Sequence, residues 1–570
     1  MRIAKLLLTL AFAWTVVGCD MTDLDLQDNP NSPTPETANV NDLYNSVQLG
    51  FNNFVEGTWG PTATMSRLIA ATGAYQYQNQ YSGQSFNGTW YNAYAALFPD
   101  IDALLALANE RGLDIHAGSA KIMKAYVLMV LVDMFGDIPY TESLQGVDFI
   151  SPKPDPGSSV YDAAIGLLDE AIAQLDGTEA AAPLTDNYYG GDEDKWITLA
   201  KTLKLRAAVT TRLVNSNAGS IVSGIVSGGD FIDSDAEDFQ FEYSTNRNNP
   251  NARHPFYNNS YESSDGAYMS NYYMWLLRSE KTDANGNAIV DPRIRFYFYR
   301  QTANSATSDA NNYSCHFSVY PDQSEKPAHY NDVDPRLPYC VASGDGYWGR
   351  DHLNNEGIPP DGPLRTVYGL YPGGGQYDDD TFDDTQQLGT TGGLGAGIQP
   401  ILLSSYVDFL RAEAALTMNT GEDARALLES GIRKSMDKVL GFSSLVPATM
   451  SREIDVRGVI FTVEELYVPD QGDIDAYVNL VLDAYDSSSD KLNVVMKEYY
   501  IALWGNGIEA YNMYRRTGKP NNMAPSLEPG PGDYMRSFYL PADHVNLNAN
   551  VSQKTNFTPV FWDDGSANLY

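Results

Sequence analysis

The sequence ALWGNGIEAYNMYRRTGKP, residues 502–520, joins an aromatic-rich stretch to two adjacent arginines and a Gly-Lys-Pro ending. Apolar residues in and just before it recur at steps of three and four, which is the period of one face of an α-helix. Gly518 and Pro520 are typical of a helix C-terminus. The stripe consists of Met496, Tyr499, Tyr500, Leu503, Trp504, Ile508, Tyr511 and Tyr514. We therefore predict one amphipathic helix that buries its aromatic face and ends near Gly518.

Arg515 lies four residues after Tyr511 and so falls on the apolar side of this helix, while Arg516 sits about 100° away. A guanidinium group on an inward face needs carboxylates or carbonyl oxygens to accept its hydrogen bonds. The sequence favours a structural arginine that is paired inside the fold. A direct contact with a ligand is the alternative.

The first 19 residues indicate the cellular compartment. Arg2 and Lys5 precede an apolar run from Leu6 to Val17 that is too short for a stable membrane-spanning helix. The run ends in Val-Val-Gly-Cys, which resembles the lipobox of a bacterial lipoprotein. We predict that residues 1–18 are a signal peptide and that Cys19 carries the lipid anchor; secretion without lipid is the alternative. Residues 19–40 are acidic and proline-rich, and they form a tether that reaches about 60–70 Å when extended.

The net charge and the tyrosine content limit the classes of function that fit this chain. The chain has 570 residues and a formal net charge of −36, which argues against nucleic acid as a partner because phosphate binding needs basic surfaces. It also has 38 tyrosines, whose flat amphipathic rings suit sugar-binding surfaces, although most of them must fill the core.

The organisation along the chain predicts a mainly α fold. Residues 41–226 show successive helical patterns joined by short loops, typical of tetratricopeptide-like hairpins, although no clean repeat occurs. Residues 227–400 are rich in Gly, Asn, Asp and Tyr and are predicted to be a loop-rich insertion with short strands. Helical patterns return in residues 401–570. We predict a single domain, 41–570, closed by both ends of the chain.

Signatures of catalysis and metal binding are weak. The sequence lacks an HExxH zinc site, a GxSxG nucleophile elbow and a P-loop. With 73 acidic residues, a carboxylate pair at glycosidase spacing carries no weight. We therefore expect that the protein is not an enzyme and that it needs no cofactor.

The acidic segment YDDDTFDDT, residues 377–385, could supply calcium ligands. Its spacing does not match an EF-hand, and a solvated loop is the favoured interpretation. Its carboxylates are those of Asp378, Asp379, Asp380, Asp383 and Asp384. Cys315 and Cys340 are either disulfide-bonded or two free buried thiols.

Several segments in order resemble the SusD/RagB family, and most closely its SusD-like branch. After the lipobox they are LVDMFGDIPYTES (131–143), YDAAIGLLDEAIAQL (161–175), KWITLAKTLKLRAAVTTRL (195–213), DPRIRFYF (291–298), PILLSSYVDFLRAEAAL (400–416) and residues 502–520. The resemblance implies a surface lipoprotein of the outer membrane with four tetratricopeptide-like hairpins and a more irregular half that holds the ligand. It also implies a SusC-like TonB-dependent transporter as partner, oligosaccharide or peptide ligands, and no enzymatic activity.

The resemblance makes the arginine pair part of a family framework, so we predict a structural role for Arg515. In the segment 400–416, Glu413 shares a face with Tyr406 and Leu410 and points inward, where a carboxylate needs a cation. We predict a buried Glu413–Arg515 ion pair, with Arg206 as another candidate partner.

Two stretches combine aromatic rings with amides, as sugar binding requires. In GAYQYQNQYSGQSFNGTWY, residues 73–91, we expect Tyr75, Tyr77 and Tyr81 to bind ligand, while Trp90 and Tyr91 begin the next helix and face the core. In GDGYWGRDH, residues 344–352, we expect Tyr347 and Trp348 to form an exposed stacking face. Trp59 and the tyrosines between 257 and 273 are the next candidates.

The function predicted from the sequence is oligosaccharide binding at the cell surface and delivery to a SusC-like transporter. A peptide-binding importer component of the same fold is the alternative. A glycoside hydrolase is the third and least favoured interpretation.

The lipobox leads to a direct test. Cys19→Ser should release the protein from the membrane fraction, because the lipidated residue is the predicted attachment. Fractionation followed by a salt wash measures this, and a mutant that stays membrane-bound would show that the anchor lies elsewhere.

Overall fold

The computed structural model describes residues 39–177, 183, 185–263, 266–303, 326–340, 345–355, 365–385 and 389–570. Cys19, the signal peptide, nearly all of the tether and Cys315 lie outside the described residues. Cys340 is buried and disulfide-bonded, so the alternative of two free thiols is wrong.

Twelve helices of eight or more residues occur within the described residues. They are α1 (Val40–Met65), α2 (Phe98–Arg111), α3 (Asp114–Phe135), α4 (Gly157–Leu175), α5 (Glu193–Thr211), α6 (Ala218–Gly228), α7 (Asn271–Arg278), α8 (Ser404–Met418), α9 (Ala424–Leu440), α10 (Gln471–Ser487), α11 (Lys491–Ala502) and α12 (Gly507–Thr517).

Shorter elements fill the connections. Short α-helices span Tyr77–Gln80, Asn87–Tyr91, Pro255–Asn258, Ile294–Tyr297, Tyr330–Val333, Pro447–Met450, Val463–Tyr467 and Ala542–Leu547. The strands are β1 (Phe239–Glu242), β2 (Phe298–Arg300), β3 (Thr366–Tyr368), β4 (Ile398–Leu402), β5 (Glu453–Val456) and β6 (Val459–Thr462). They pair as three antiparallel ribbons, β1–β4, β2–β3 and β5–β6.

Consecutive long helices pack against each other as hairpins, which form the scaffold. The pairs α2–α3, α4–α5, α8–α9 and α10–α11 are in contact, and α3 also packs on α4. A mainly helical hairpin scaffold with a loop-rich, short-stranded middle was predicted, and the fold class is confirmed. The division into domains stays a prediction.

Helix α3 lies at the centre of the scaffold. By length and composition it is apolar enough to cross a membrane, but 89% of its most apolar window is buried inside the fold. Its apolar residues belong to a main core cluster that runs from Val40 to Trp562. Both ends of the described chain thus contribute to one core.

The prediction of one continuous helix up to Gly518 is wrong. Helix α11 ends at Ala502, and α12 begins at Gly507 after a sharp turn. Gly505 has a φ of +101°, and a Cβ there would lie 2.9 Å from ring atoms of Pro372 and Pro400. Only glycine fits such a position, and the helix is interrupted there. The predicted stop is confirmed, because Gly518 is the C-cap of α12 with φ +63°.

The predicted Glu413–Arg515 ion pair is wrong. Arg516 holds Glu413 instead, with Nε donating to Oε1 at 2.9 Å and Nη2 to Oε2 at 2.8 Å, and Arg212 lies 3.2 Å from the same carboxylate. Arg515 donates to the carbonyl oxygen of Asp133 at 2.7 Å and packs over the Tyr511 ring. Both arginines are buried and structural. The helical stripe identified an inward side, but it could not tell which of two neighbouring arginines meets the acid.

A second cluster of buried ion pairs involves the same helix, α12. Arg206 pairs with Glu509 through Nε and lies 3.3 Å from Asp133 Oδ2. Asp133 also accepts from Asn512 Nδ2 at 2.7 Å and from Trp562 Nε1 at 2.8 Å. Burial alone would raise the pKa of Glu413, but the guanidinium groups of Arg516 and Arg212 hold it below its ordinary value. The Glu413 carboxylate is therefore ionised and matched by cations.

Removing one member of the Glu413–Arg516 pair strands the other in the core. We expect Arg516→Ala to lower the free energy of unfolding by about 3 kcal/mol, because Arg212 keeps part of the interaction with Glu413. Denaturant titration measures this. The control Arg425→Ala breaks an exposed pair with Asp486 and should unfold close to wild type. Equal stability of both variants would contradict the structural role of Arg516.

Candidate functional site

A cavity of 500 Å³ lies where the helical scaffold meets the irregular middle of the chain. Its walls come from the second half of α1, from β3 and β4, and from the segment 254–259. It is lined by Asn53, Glu56, Gly57, Trp59, Gly60, Ile69, Asn92, His254, Pro255, Phe256, Asn259, Ala267, Tyr368 and Gln399. The cavity is large enough for a small-molecule ligand.

Three aromatic residues form the inner wall of this cavity. The rings of Phe256 and Tyr368 stack with centroids 4.1 Å apart, and the Trp59 ring lies 5.0 Å from Phe256. Trp59 Nε1 donates to the Tyr368 hydroxyl at 3.1 Å, and Trp504 packs edge-on behind Trp59 at 5.7 Å. These contacts fix the rings, so the wall is pre-formed. Trp59 was a secondary candidate from the sequence, and the structure places it here.

Polar groups surround the aromatic wall. Asn53 and Asn259 are exposed, and Asn92 is half-buried. Glu56 accepts hydrogen bonds from Asn52 Nδ2 at 2.7 Å and from the Tyr243 hydroxyl, and both fall on Oε1. Within the described part of the chain, Oε2 of Glu56 is therefore the oxygen left for a ligand. Burial raises the pKa of Glu56, and the two hydrogen bonds only partly oppose the rise.

His254 lies in the wall of the same cavity, and its ring is fully buried. Its Nδ1 accepts from the Phe256 backbone N–H at 3.0 Å, which places the proton of the neutral ring on Nε2. Burial lowers the pKa of His254 to about 3, so the ring is neutral at physiological pH. A hydrogen bond to the Ile398 backbone, of poor geometry, only partly opposes this fall.

A larger cavity of 690 Å³ lies between the β1–β4 ribbon and α9, and its lining is charged. Lys438 is paired with Asp238 at 2.8 Å, and Lys434 with Asp408 at 2.7 Å. These ion pairs are satisfied within the protein. The smaller cavity combines an aromatic wall with neutral amides and is the better candidate for a sugar-like ligand.

The predicted ligand residues of the loop 73–91 are mostly engaged in structure. Tyr77 is buried, and its hydroxyl contacts Arg67, the Tyr570 carbonyl oxygen at 2.5 Å and His352 at 3.1 Å. Its prediction as an exposed ligand residue is wrong, because it is the hub of a core hydrogen-bond cluster.

Tyr81 is half-buried, its ring packs on Phe86 and Phe538, and its hydroxyl lies 2.7 Å from Thr64 Oγ1. Tyr75 is half-buried, and its role in binding stays a prediction. Tyr91 was expected to face the core but is 65% exposed. Trp90 does pack inward, against Tyr94 and Phe135.

The predicted stacking face at Tyr347 and Trp348 is wrong, because both side chains are buried. Arg300 covers the Tyr347 ring at 4.7 Å, and the Trp348 backbone N–H donates to Thr366 Oγ1 at 3.1 Å. A Cβ at the adjacent Gly349 would lie 1.9 Å from the Met269 carbonyl oxygen. This glycine therefore allows close packing of the chain and does not expose the tryptophan.

The acidic segment 377–385 is only partly solvated, which corrects the expectation. Asp378 and Asp379 are buried, whereas Asp383 and Asp384 are exposed. Arginines pair with the first three carboxylates: Arg300 with Asp378 at 2.6 Å, Arg452 with Asp379 at 2.6 Å, and Arg295 with Asp380 at 2.9 Å. No group of three His, Cys, Asp or Glu residues in the described ranges is arranged to hold a metal ion.

Comparison with models of protein families shows which family the chain belongs to. The family model described as "Starch-binding associating with outer membrane" matches residues 31–339, more than half of the chain. A second model, described as "Susd and RagB outer membrane lipoprotein", matches residues 396–556. The chain belongs to the SusD/RagB family. Both descriptions associate SusD/RagB proteins with the outer membrane, and a search of curated proteins found no match.

Solved structures share the SusD/RagB fold. A SusD/RagB family protein from Bacteroides thetaiotaomicron has a TM-score of 0.63 at 19% identity, covering 93% of this chain and 100% of that one. A chitin-binding SusD homologue from Flavobacterium johnsoniae has a TM-score of 0.60 at 18% identity, covering 92% and 99%. A structure named a chitin-binding protein has a TM-score of 0.62 at 17% identity, covering 92% and 100%. At these identities the likeness establishes the fold alone.

Sequence reasoning missed most of the cavity. Asn53, Gly57 and Gly60 recur at steps of four and three on the side of α1 opposite its apolar stripe, and this pattern could have drawn attention to them. His254, Phe256 and Tyr368 carry no such signal, because tertiary contacts alone bring them to α1.

The raised pKa of Glu56 makes stability pH-dependent. The folded protein binds this proton more tightly than the unfolded chain, whose carboxyl has an ordinary pKa near 4.5. The protonated group therefore favours folding, and that contribution is lost as the pH rises from about 4.5 through the raised pKa.

Glu56→Gln has no such proton to lose. Its Tm relative to wild type should increase as the pH rises across this interval and then level off. Calorimetric melts over the acid range measure the difference, with the exposed Glu110→Gln as control. A Tm difference between Glu56→Gln and wild type that does not change with pH would contradict the raised pKa of Glu56.

Proposed function

We propose that this SusD/RagB protein binds an oligosaccharide in the 500 Å³ cavity and delivers it to a SusC-like TonB-dependent transporter. The observation that carries the proposal is the fixed aromatic wall of Trp59, Phe256 and Tyr368 beside amide and carboxylate groups. Saccharides present apolar C–H faces next to hydroxyl groups, and this lining offers a partner to each.

Specific polar groups would bind the hydroxyls. Asn53 and Asn92 each offer an acceptor and donors, and Glu56 Oε2 accepts. A neutral ligand also suits the charge balance, because the chain carries a net charge of −36 and would repel an anionic one.

The absence of a paired acid in the cavity lining favours binding over hydrolysis. Glu56 is the single carboxylate among the described residues that line the cavity. Glycoside hydrolysis ordinarily needs two carboxyl groups flanking the scissile bond. We therefore assign a binding role to the site and no catalytic one.

The relatives support carbohydrate as the ligand class. The matched family model is described as starch-binding, and two structures of the same fold are described as chitin-binding. The lipobox at Cys19 and the outer-membrane descriptions support a lipid-anchored position at the outer membrane. Maltooligosaccharides and chitooligosaccharides are therefore the first ligands to test.

Asn53→Ala tests the site with little risk to the fold, because the side chain is exposed on α1. Loss of one or two ligand hydrogen bonds costs about 1–1.5 kcal/mol, so the affinity should fall about tenfold. Isothermal titration calorimetry with maltoheptaose and chitohexaose measures it. Asn45→Ala, two turns earlier on α1 and outside the cavity lining, is the matched control.

The same titration should include a panel of short peptides. Binding of peptides without binding of either saccharide would replace the proposed ligand class with peptide. Saccharide binding that is unchanged in Asn53→Ala would place the site outside this cavity.

A further inference from the structure

Gln399 is a buried polar residue in the middle of strand β4. The strand has the sequence IQPIL, all five of its residues are buried, and Gln399 itself is 4% exposed. Its side chain lines the 500 Å³ cavity together with the aromatic wall of Trp59, Phe256 and Tyr368. Burying an amide costs free energy unless its donor and acceptor atoms are both hydrogen-bonded. The partners of this amide therefore show whether its role is structural alone.

One half of the Gln399 amide is hydrogen-bonded and the other is not. Nε2 donates to the backbone carbonyl oxygen of Gly505 at 3.2 Å. A carbonyl oxygen can only accept, so this contact settles the orientation of the amide and leaves Oε1 as the remaining polar atom. Within the described residues, Oε1 accepts no hydrogen bond. Because Gln399 lines the cavity, this oxygen is an acceptor of fixed orientation that is available to a ligand there.

The contact with Gly505 does not by itself explain a buried glutamine. Asn506 already ties the same turn to β4, since its Nδ2 donates to the carbonyl oxygens of Pro400 at 3.2 Å and of Ile401 at 2.9 Å. An apolar side chain at position 399 would match the rest of the strand and would bury no unpaired amide oxygen. A ligand group that donates to Oε1 accounts for the glutamine.

Glu56 supplies a second acceptor of the same kind to the cavity. Asn52 Nδ2 and the Tyr243 hydroxyl both donate to Oε1 of Glu56, so the carboxylate is held in place and Oε2 is left over. Neither Oε2 of the ionised carboxylate nor Oε1 of Gln399 can donate a hydrogen bond. A ligand in contact with both atoms must supply two donors, and hydroxyl groups are donors of this kind.

We propose that Gln399 determines ligand specificity by accepting, through Oε1, a hydrogen bond from a hydroxyl group of the saccharide, while Glu56 Oε2 accepts a second one. Free hydroxyl groups on the ring at the aromatic wall are then a requirement of the site. An O-methylated ring keeps its apolar faces but offers no donors, so it leaves both acceptors unpaired and is rejected. This inference rests on the proposed function and adds the residue that recognises the hydroxyl groups of the ligand.

Gln399→Met tests the contact with a side chain of similar length that lacks the amide. Its affinity for maltoheptaose or chitohexaose, measured by isothermal titration calorimetry, should be about tenfold lower than that of wild type. Gln240→Met is the matched control and should bind with wild-type affinity. Gln240 lies on β1 of the same ribbon, opposite Pro400, and lines the charged 690 Å³ cavity instead.

A third variant separates recognition of the ligand from an effect on the fold. Asn506→Ser removes the hydrogen bonds from the turn to β4, while serine can still cap α12 as Asn506 does. Its affinity should stay close to that of wild type. If Asn506→Ser lowers the affinity as much as Gln399→Met does, the turn and not Oε1 of Gln399 sets the affinity, and the inference is wrong.

Modified ligands test the same contact in the wild-type protein, whatever the stability of the variants. O-methylated maltoheptaose or chitohexaose should bind at least about a hundredfold more weakly than the unmodified saccharide, because two acceptors lose their donors. Equal affinity for both forms would overturn the inference and leave the proposed function in place. So would wild-type affinity in Gln399→Met where Asn53→Ala weakens binding. If the wild-type protein binds neither unmodified saccharide, the proposed function itself fails, and the inference fails with it.

Discussion

The fold depends on carboxylates that are buried with arginines between helices distant in sequence. Arg516 of α12 holds Glu413 of α8 with two hydrogen bonds, and Arg206 of α5 holds Glu509 of α12. Asp133, near the end of α3, accepts from the C-terminal Trp562. Such a network is costly to bury and costlier to leave incomplete, so its members must meet in one arrangement. It therefore fixes the relative positions of four helices and of the C-terminal segment.

The 500 Å³ cavity takes its shape from this arrangement. Helix α12 packs closely on α1, since a Cβ at Gly507 would lie 2.4 Å from Thr62 Oγ1. The turn at Gly505 between α11 and α12 places Trp504 edge-on behind Trp59. Trp59 in turn donates a hydrogen bond to the Tyr368 hydroxyl. The aromatic wall is thus fixed from behind by the turn that leads into α12, the helix that carries Arg515 and Arg516. A pre-formed wall reduces the entropy that a ligand must lose on binding.

The strong acidity of the protein lies mainly outside the cavity, because Glu56 is the single carboxylate among the described residues that line it. Much of the acidity lies on the surface, and the acidic segment 377–385 is partly neutralised by Arg295, Arg300 and Arg452. In the cavity itself, Glu56 has a raised pKa and His254 is uncharged. Such a lining would suit the proposed ligand, which has hydroxyl groups and no charge.

Local patterns in the sequence determined the fold class, the cap at Gly518 and the inward direction of Glu413, because helical period and capping depend on neighbours a few residues apart. The lipobox at Cys19 is likewise a local signal. Tertiary structure decided that Arg516 is the partner of Glu413, that Trp348 is buried, and that Trp59 meets Tyr368, 309 residues away. A periodic stripe identifies the side of a helix that faces inward, but it contains no information about which distant side chain it will face. The cavity was therefore visible only once α1 and the irregular middle had been brought together.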